Sequence, residues 1–131
     1  MKNIFKEITR TYPNSIFNSG DLTQWANQNI LLLNSALTVN YDKSGSHKNF
    51  WMHFIIKIIQ YICSLNSNIV FILMGNEAKK FDKYIHSNYI LYSQHPSPIC
   101  SKKDFIGSNI FYNTNEILLS LNESPINWSI Y

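Results

Sequence analysis

Three apolar runs without alternation constrain the fold of this chain most: ILLL at residues 30–33, IVFILM at 69–74 and YILY at 89–92. A strand with one wet face alternates apolar and polar residues. An unbroken run therefore predicts a strand covered on both faces, as in a parallel sheet between helical layers. Between the first two runs, Trp51, Phe54, Ile55, Ile58, Ile59 and Ile62 recur at helical spacing and predict a helix with one apolar face. Shorter helices are expected at 3–8, at 21–27 with Asp21 as N-cap, and at 113–121. Helices alternating with strands give an α/β class, a three-layer αβα sandwich around a mostly parallel sheet. Residues 1–131 are expected to form one domain, long enough for a real core.

In such sheets ligands gather at the carboxyl ends of the strands. The three runs end in Asn34, in Gly75–Asn76, and in Ser93, Gln94 and His95-Pro96-Ser97-Pro98. These polar and backbone-shaping residues are expected to converge on one sheet edge. The net charge of +3 suits a polyanionic partner but carries little weight alone. The N-terminus lacks a signal-peptide core, and the greasiest stretch, 54–62, is short and broken by Lys57 and Gln60. Cys63 and Cys100 have neither metal-site spacing nor a disulfide framework. The expectation is a soluble, cytoplasmic, monomeric protein without membrane, metal or organic cofactor.

Six stretches in order carry a resemblance: GDLTQWANQNILLLNSALTV (20–39), SHKNFW (46–51), VFILMG (70–75), HPSPI (95–99), FIG (105–107) and PINW (125–128). Together they resemble the C-terminal part of the uracil-DNA glycosylases (family 1), which act in base excision repair on uracil flipped out of DNA. The resemblance implies that Asn34 reads the base. A side-chain amide offers one donor beside one acceptor, matching uracil's imide N–H and neighbouring carbonyl, whereas cytosine reverses the pattern. Burying the mismatched pair costs about 1–3 kcal/mol per unpaired group. Taken alone, Asn34 reads as a residue that closes a strand into a turn.

The resemblance also implies that His95 stabilises charge on uracil O2 as the glycosidic bond breaks, acting as an oxyanion-hole donor. Alone, a histidine is usually a surface or core residue, and His53 and His86 are expected to be of that kind; by the resemblance, His47 is expected either to be structural or to support a site residue. By the same resemblance Gly75, Asn76 and Ser97 approach DNA, and Ile99 wedges into the space of the extruded nucleotide. Cys100 and Lys103 fall on DNA-contacting positions but depart from the family, which has serine and arginine there. Asp104 adds a negative charge close to phosphate, which weakens DNA binding. Met74 stands where tryptophan is usual, and one glycine is missing before Trp51.

The family's GQDPYH-type loop is not found in these 131 residues. It supplies the aspartate that positions water and the tyrosine that excludes thymine. The stacking phenylalanine is likewise missing, so negligible glycosylase activity is expected of these residues alone. The resemblance further implies a sheet order of 2-1-3-4 in which strand 1, the central one, is lacking. The 30–33 strand and the 69–74 strand are then expected to close up and pair directly, or the product to fold poorly. Three readings follow: part of a uracil-DNA glycosylase, a non-catalytic DNA- or partner-binding remnant, or a decaying gene product. An upstream GQDPY-like motif, salt-sensitive duplex binding without uracil release, and a non-cooperative melt are their respective signatures.

Overall fold

The computed structural model describes residues 1–97 and 105–131. Its elements in chain order are α1 (Lys2–Thr11), α2 (Thr23–Ala26), α3 (Lys48–Leu65), β1 (Phe71–Met74), α4 (Gly75–Lys79), a 3-10 turn at Asp82–Tyr84, β2 (Ile90–Ser93) and α5 (Ile110–Ser120). The two strands run parallel, with Phe71, Ile72, Leu73 and Met74 opposite Ile90, Leu91, Tyr92 and Ser93.

Successive strand side chains point to opposite faces, and this pair builds a different cluster on each. Ile72, Met74 and Leu91 pack against Ile8, Trp25, Phe105, Ile110, Phe111, Trp128 and Ile130. Phe71, Leu73 and Ile90 pack against Ile55 and Ile59 of α3, and against Phe81 and Ile85. The expected αβα layering is present, with α1 and α5 on one side and α3 on the other. Among the described residues no helix is long and apolar enough to cross a membrane.

Three local expectations need correction. Residues 30–33 form no strand: Leu31, Leu32 and Leu33 are 62%, 54% and 36% exposed, and neither pair with β1 nor lie between layers. A run of apolar residues becomes a strand only when a ladder accepts its backbone groups, and among the described residues no strand pairs with 30–33. At α2 the cap position is Leu22; Asp21 sits one residue earlier and accepts the Thr23 backbone N–H at 2.9 Å and the Thr23 hydroxyl at 2.6 Å. Phe54, expected on the buried face of α3, is 48% exposed and rests edge-on against Trp51.

The C-terminal stretch is fastened by α2 and the chain after α1. Trp25 Nε1 donates to the Trp128 carbonyl at 3.1 Å, and the Gln28 amide both donates to the Asn127 carbonyl and accepts from its N–H. Ile130 makes a parallel bridge with Phe17. Asn115, buried on α5, is fully used: its amide nitrogen serves Tyr12 Oη and the Ile126 carbonyl, and its oxygen accepts the Ile126 N–H.

A long-range polar contact is made by Glu7, a charged residue with no solvent exposure. Its carboxylate accepts the backbone N–H of Gly107 at 2.6 Å and of Asn109 at 2.7 Å, and both oxygens are met by the Arg10 guanidinium at 3.1 Å. Asn109 precedes α5 with φ +55°, and its side-chain oxygen also takes a bond from Arg10. Burial pushes the Glu7 carboxyl upward, but the Arg10 bonds and the two amides outweigh it and hold it below the usual glutamate value. A depressed folded-state pKa makes this contribution complete above the unfolded value of about 4.3, and it is lost as pH falls through the folded one. Glu7→Gln turns an acceptor into a donor facing an N–H, so a loss of roughly 3 kcal/mol is expected. Circular-dichroism melts from neutral pH to about pH 3 check both points: the variant melts lower at neutrality, and acidification narrows the gap.

Candidate functional site

The β1–β2 register sets the site. Gly75 follows Met74 directly, and His95 lies two residues beyond Ser93, so the two strand ends bring them into contact. Gly75 has φ +87°, a conformation costly for any side-chain-bearing residue. A Cβ at that position would lie 2.9 Å from His95 Cβ and 3.3 Å from its Cδ2. Only hydrogen fits, and Gly75 thereby forms the seat of the imidazole.

The ring is also oriented by hydrogen bonding. The Ser97 backbone N–H donates to His95 Nδ1 at 3.1 Å. That bond needs the Nδ1 lone pair, so the neutral ring carries its proton on Nε2. His95 is exposed, and its remaining ring nitrogen is a donor. A donor at the carboxyl end of a strand, held at a fixed angle, can stabilise charge developing on a ligand oxygen.

Asn34 is exposed at the end of the unpaired run. It lines a shallow, open depression with Ser35, Thr38, Gly45 and Lys48, and His95 is not among its walls. The structure therefore brings Gly75 and His95 together and leaves Asn34 on neighbouring ground. Asn76 lies in α4 and is exposed. Next to it Glu77 bridges Lys48 at 3.3 Å and Lys80 at 2.8 Å, tying the start of α3 to α4. The bond from Lys80 is the main cause that lowers the Glu77 carboxyl pKa. Ile99, Cys100 and Lys103, with Pro98 and Asp104, lie outside the described residues.

Some of the organisation around Asn34 is not legible in the sequence. Trp51 Nε1 donates to Thr38 Oγ1 at 2.7 Å, and Thr38 Oγ1 lies 2.8 Å from His47 Nδ1. His47 Nε2 lies 2.9 Å from Asn40 Oδ1, while the Asn40 N–H donates to Ser46 Oγ at 2.8 Å. One consistent assignment has Thr38 donating to Nδ1 and Nε2–H donating to Asn40. The expected structural role of His47 thus has a geometry: it closes the loop after Asn34 onto α3. The stretches 20–39 and 46–51 contained Thr38, His47 and Trp51 without marking the contacts between them, and Asn40 lies outside both. Among the described residues no three His, Cys, Asp or Glu side chains converge as metal ligands.

The family model of the uracil DNA glycosylase superfamily matches residues 1–119. This chain belongs to that superfamily. Its relatives include the uracil-DNA glycosylase of Mycoplasmopsis pulmonis, 44% identical over 133 residues, a match covering 99% of this chain and 60% of the relative. That of Phocaeicola vulgatus is 42% identical over 131 residues, covering 98% and 60%. The crystal structure of mimivirus uracil-DNA glycosylase is similar with a TM-score of 0.85 at 25% identity, over 98% of this chain and 54% of that one. The chain thus spans about 60% of the length of the two curated relatives. Within the superfamily fold, the Gly75–His95 contact makes a direct prediction. Gly75→Ala meets both a strained dihedral and a filled space, so it is expected to lose about 1–3 kcal/mol. Thermal melting and the imidazole NMR signals of His95 check this: both shift, the latter because the ring must leave its seat.

Proposed function

We propose that this chain is the base-reading and leaving-group-stabilising portion of a uracil-DNA glycosylase, and that these 131 residues alone do not hydrolyse the N-glycosidic bond. The observation carrying this reading is the Ser97 N–H bonded to His95 Nδ1 with the ring seated on Gly75, an arrangement that leaves Nε2 to act as the donor of the neutral ring. When the bond between sugar and base breaks, its electron pair moves into the uracil ring and charge collects on O2. A neutral N–H at that oxygen stabilises the departing anion without a proton transfer. Asn34 reads the imide and carbonyl edge of the flipped base.

Gly75, Asn76 and Ser97 hold the phosphate backbone near the flipped nucleotide. Ile99 fills the vacated stack, with Cys100 and Lys103 contacting DNA beyond it. The partner is uracil-containing DNA, bound by a monomer. Completing hydrolysis requires an activated water, and the aspartate of the GQDPYH-type loop that would position it is missing from the 131 residues.

Two measurements test the proposal. Incubation with a uracil-containing oligonucleotide is expected to give no free uracil above background; release at the rate of a full-length relative would overturn the inactive reading. Titration at low salt is expected to show tighter binding to uracil-containing DNA than to the cytosine counterpart. Asn34→Ala is expected to erase about tenfold of that preference, ~1.4 kcal/mol, while leaving the salt slope unchanged. Equal binding of both oligonucleotides by the unaltered chain would defeat the base-reading role.

A further inference from the structure

The Pro96–Ser97 peptide unit is held at both of its polar ends. Its N–H, on Ser97, donates to His95 Nδ1 at 3.1 Å. Its carbonyl oxygen, on Pro96, accepts from Asn3 Nδ2 at 2.9 Å, across 93 residues of sequence. The peptide group is planar, and in the trans form its C=O and N–H point in opposite directions. Fixing the oxygen therefore fixes the direction of the N–H.

From this geometry we infer that Asn3 is a positioning residue for His95, acting through one peptide plane to hold the imidazole in its Nε2–H tautomer. Without the Asn3 bond, the plane can rotate about its flanking Cα atoms and take the Ser97 N–H off Nδ1. The ring then exchanges tautomers, and part of the population presents a lone pair at Nε2 where a donor is needed. Two features of Asn3 suit the task. It sits half-buried in the first turn of α1, where its short side chain has little freedom. It also lies four residues before Glu7 on the same helix face, and Glu7 holds Gly107 and Asn109. One face of α1 thus fastens the chain at position 96 and again at 107 and 109. The catalytic importance of the tautomer rests on the function proposed above; the coupling of Asn3 to His95 does not.

The test is long-range 1H–15N spectroscopy on the full 131-residue chain, with the His95 signals assigned by their loss in His95→Gln. The unaltered chain is expected to show one protonated and one unprotonated ring nitrogen, the fixed Nε2–H pattern. Asn3→Ala, and Asn3→Asp, which keeps the shape but removes the donor, are expected to bring the two nitrogen shifts toward a common average. Thr9→Ala, which removes an exposed hydroxyl bond on the same helix, is expected to leave the pattern unchanged. Retention of the fixed pattern in the Asn3 variants would overturn the inference, as would an equal change in Thr9→Ala. Loss of the folded amide spectrum in both Asn3 variants would assign the residue to folding instead and overturn it too. In parallel, Asn3→Ala is expected to weaken binding to a uracil-containing oligonucleotide about threefold to tenfold, with the melt still cooperative. Absence of uracil preference in the unaltered chain would count against the proposed function, while the ring shifts would still decide the role of Asn3.

Discussion

Four residue pairs, from Phe71 opposite Ile90 to Met74 opposite Ser93, hold β1 against β2, and both apolar clusters are built on the two faces of this pair. Their register has a second consequence at the carboxyl ends. One residue past Met74 and two past Ser93, the backbone of Gly75 meets the side chain of His95 with no room for a methyl group. A slip of one residue would turn every strand side chain to the other face and separate those two groups. Packing and candidate chemistry therefore depend on one short ladder.

Four residue pairs are little for an independent sheet, and the polar contacts of α1 carry a matching share. Glu7 brings a charge into the interior, which is tolerable because two backbone amides and a guanidinium meet it there. That carboxylate fixes the turn leading into α5, whose Ile110 and Phe111 are buried in the larger cluster. Asn3, one turn earlier, extends the same helix face to the His95 segment. The helix that seals one side of the sheet also sets the angle of the ring at its edge.

Leu31, Leu32 and Leu33 stand in contrast. Their composition suits a strand covered on both faces, yet they are open to solvent, with Leu37 and Val39 close behind at 47% and 56% exposure. Apolar area left in water forgoes about 25 cal/mol per Å² of stabilisation. The same stretch leads into Asn34, so the base-reading candidate follows a segment that no ladder holds. The histidine candidate follows β2, which the ladder does hold.

The sequence by itself determined the long helix, the apolar runs from which strands could be drawn, and the family. Helical periodicity, unbroken apolar runs and motif order are local properties, and they survive whatever the rest of the chain does. The Asn34 and His95 candidates were legible for the same reason, as members of ordered motifs. Tertiary structure alone decided that residues 30–33 would not become a strand, because a strand exists only where another backbone accepts its hydrogen bonds. It also decided which polar residues of α1 matter: nothing near Asn3 or Glu7 in sequence announces that their partners lie 93, 100 and 102 residues away. Burial and hydrogen-bond pairing belong to the folded arrangement, and so does the orientation of His95.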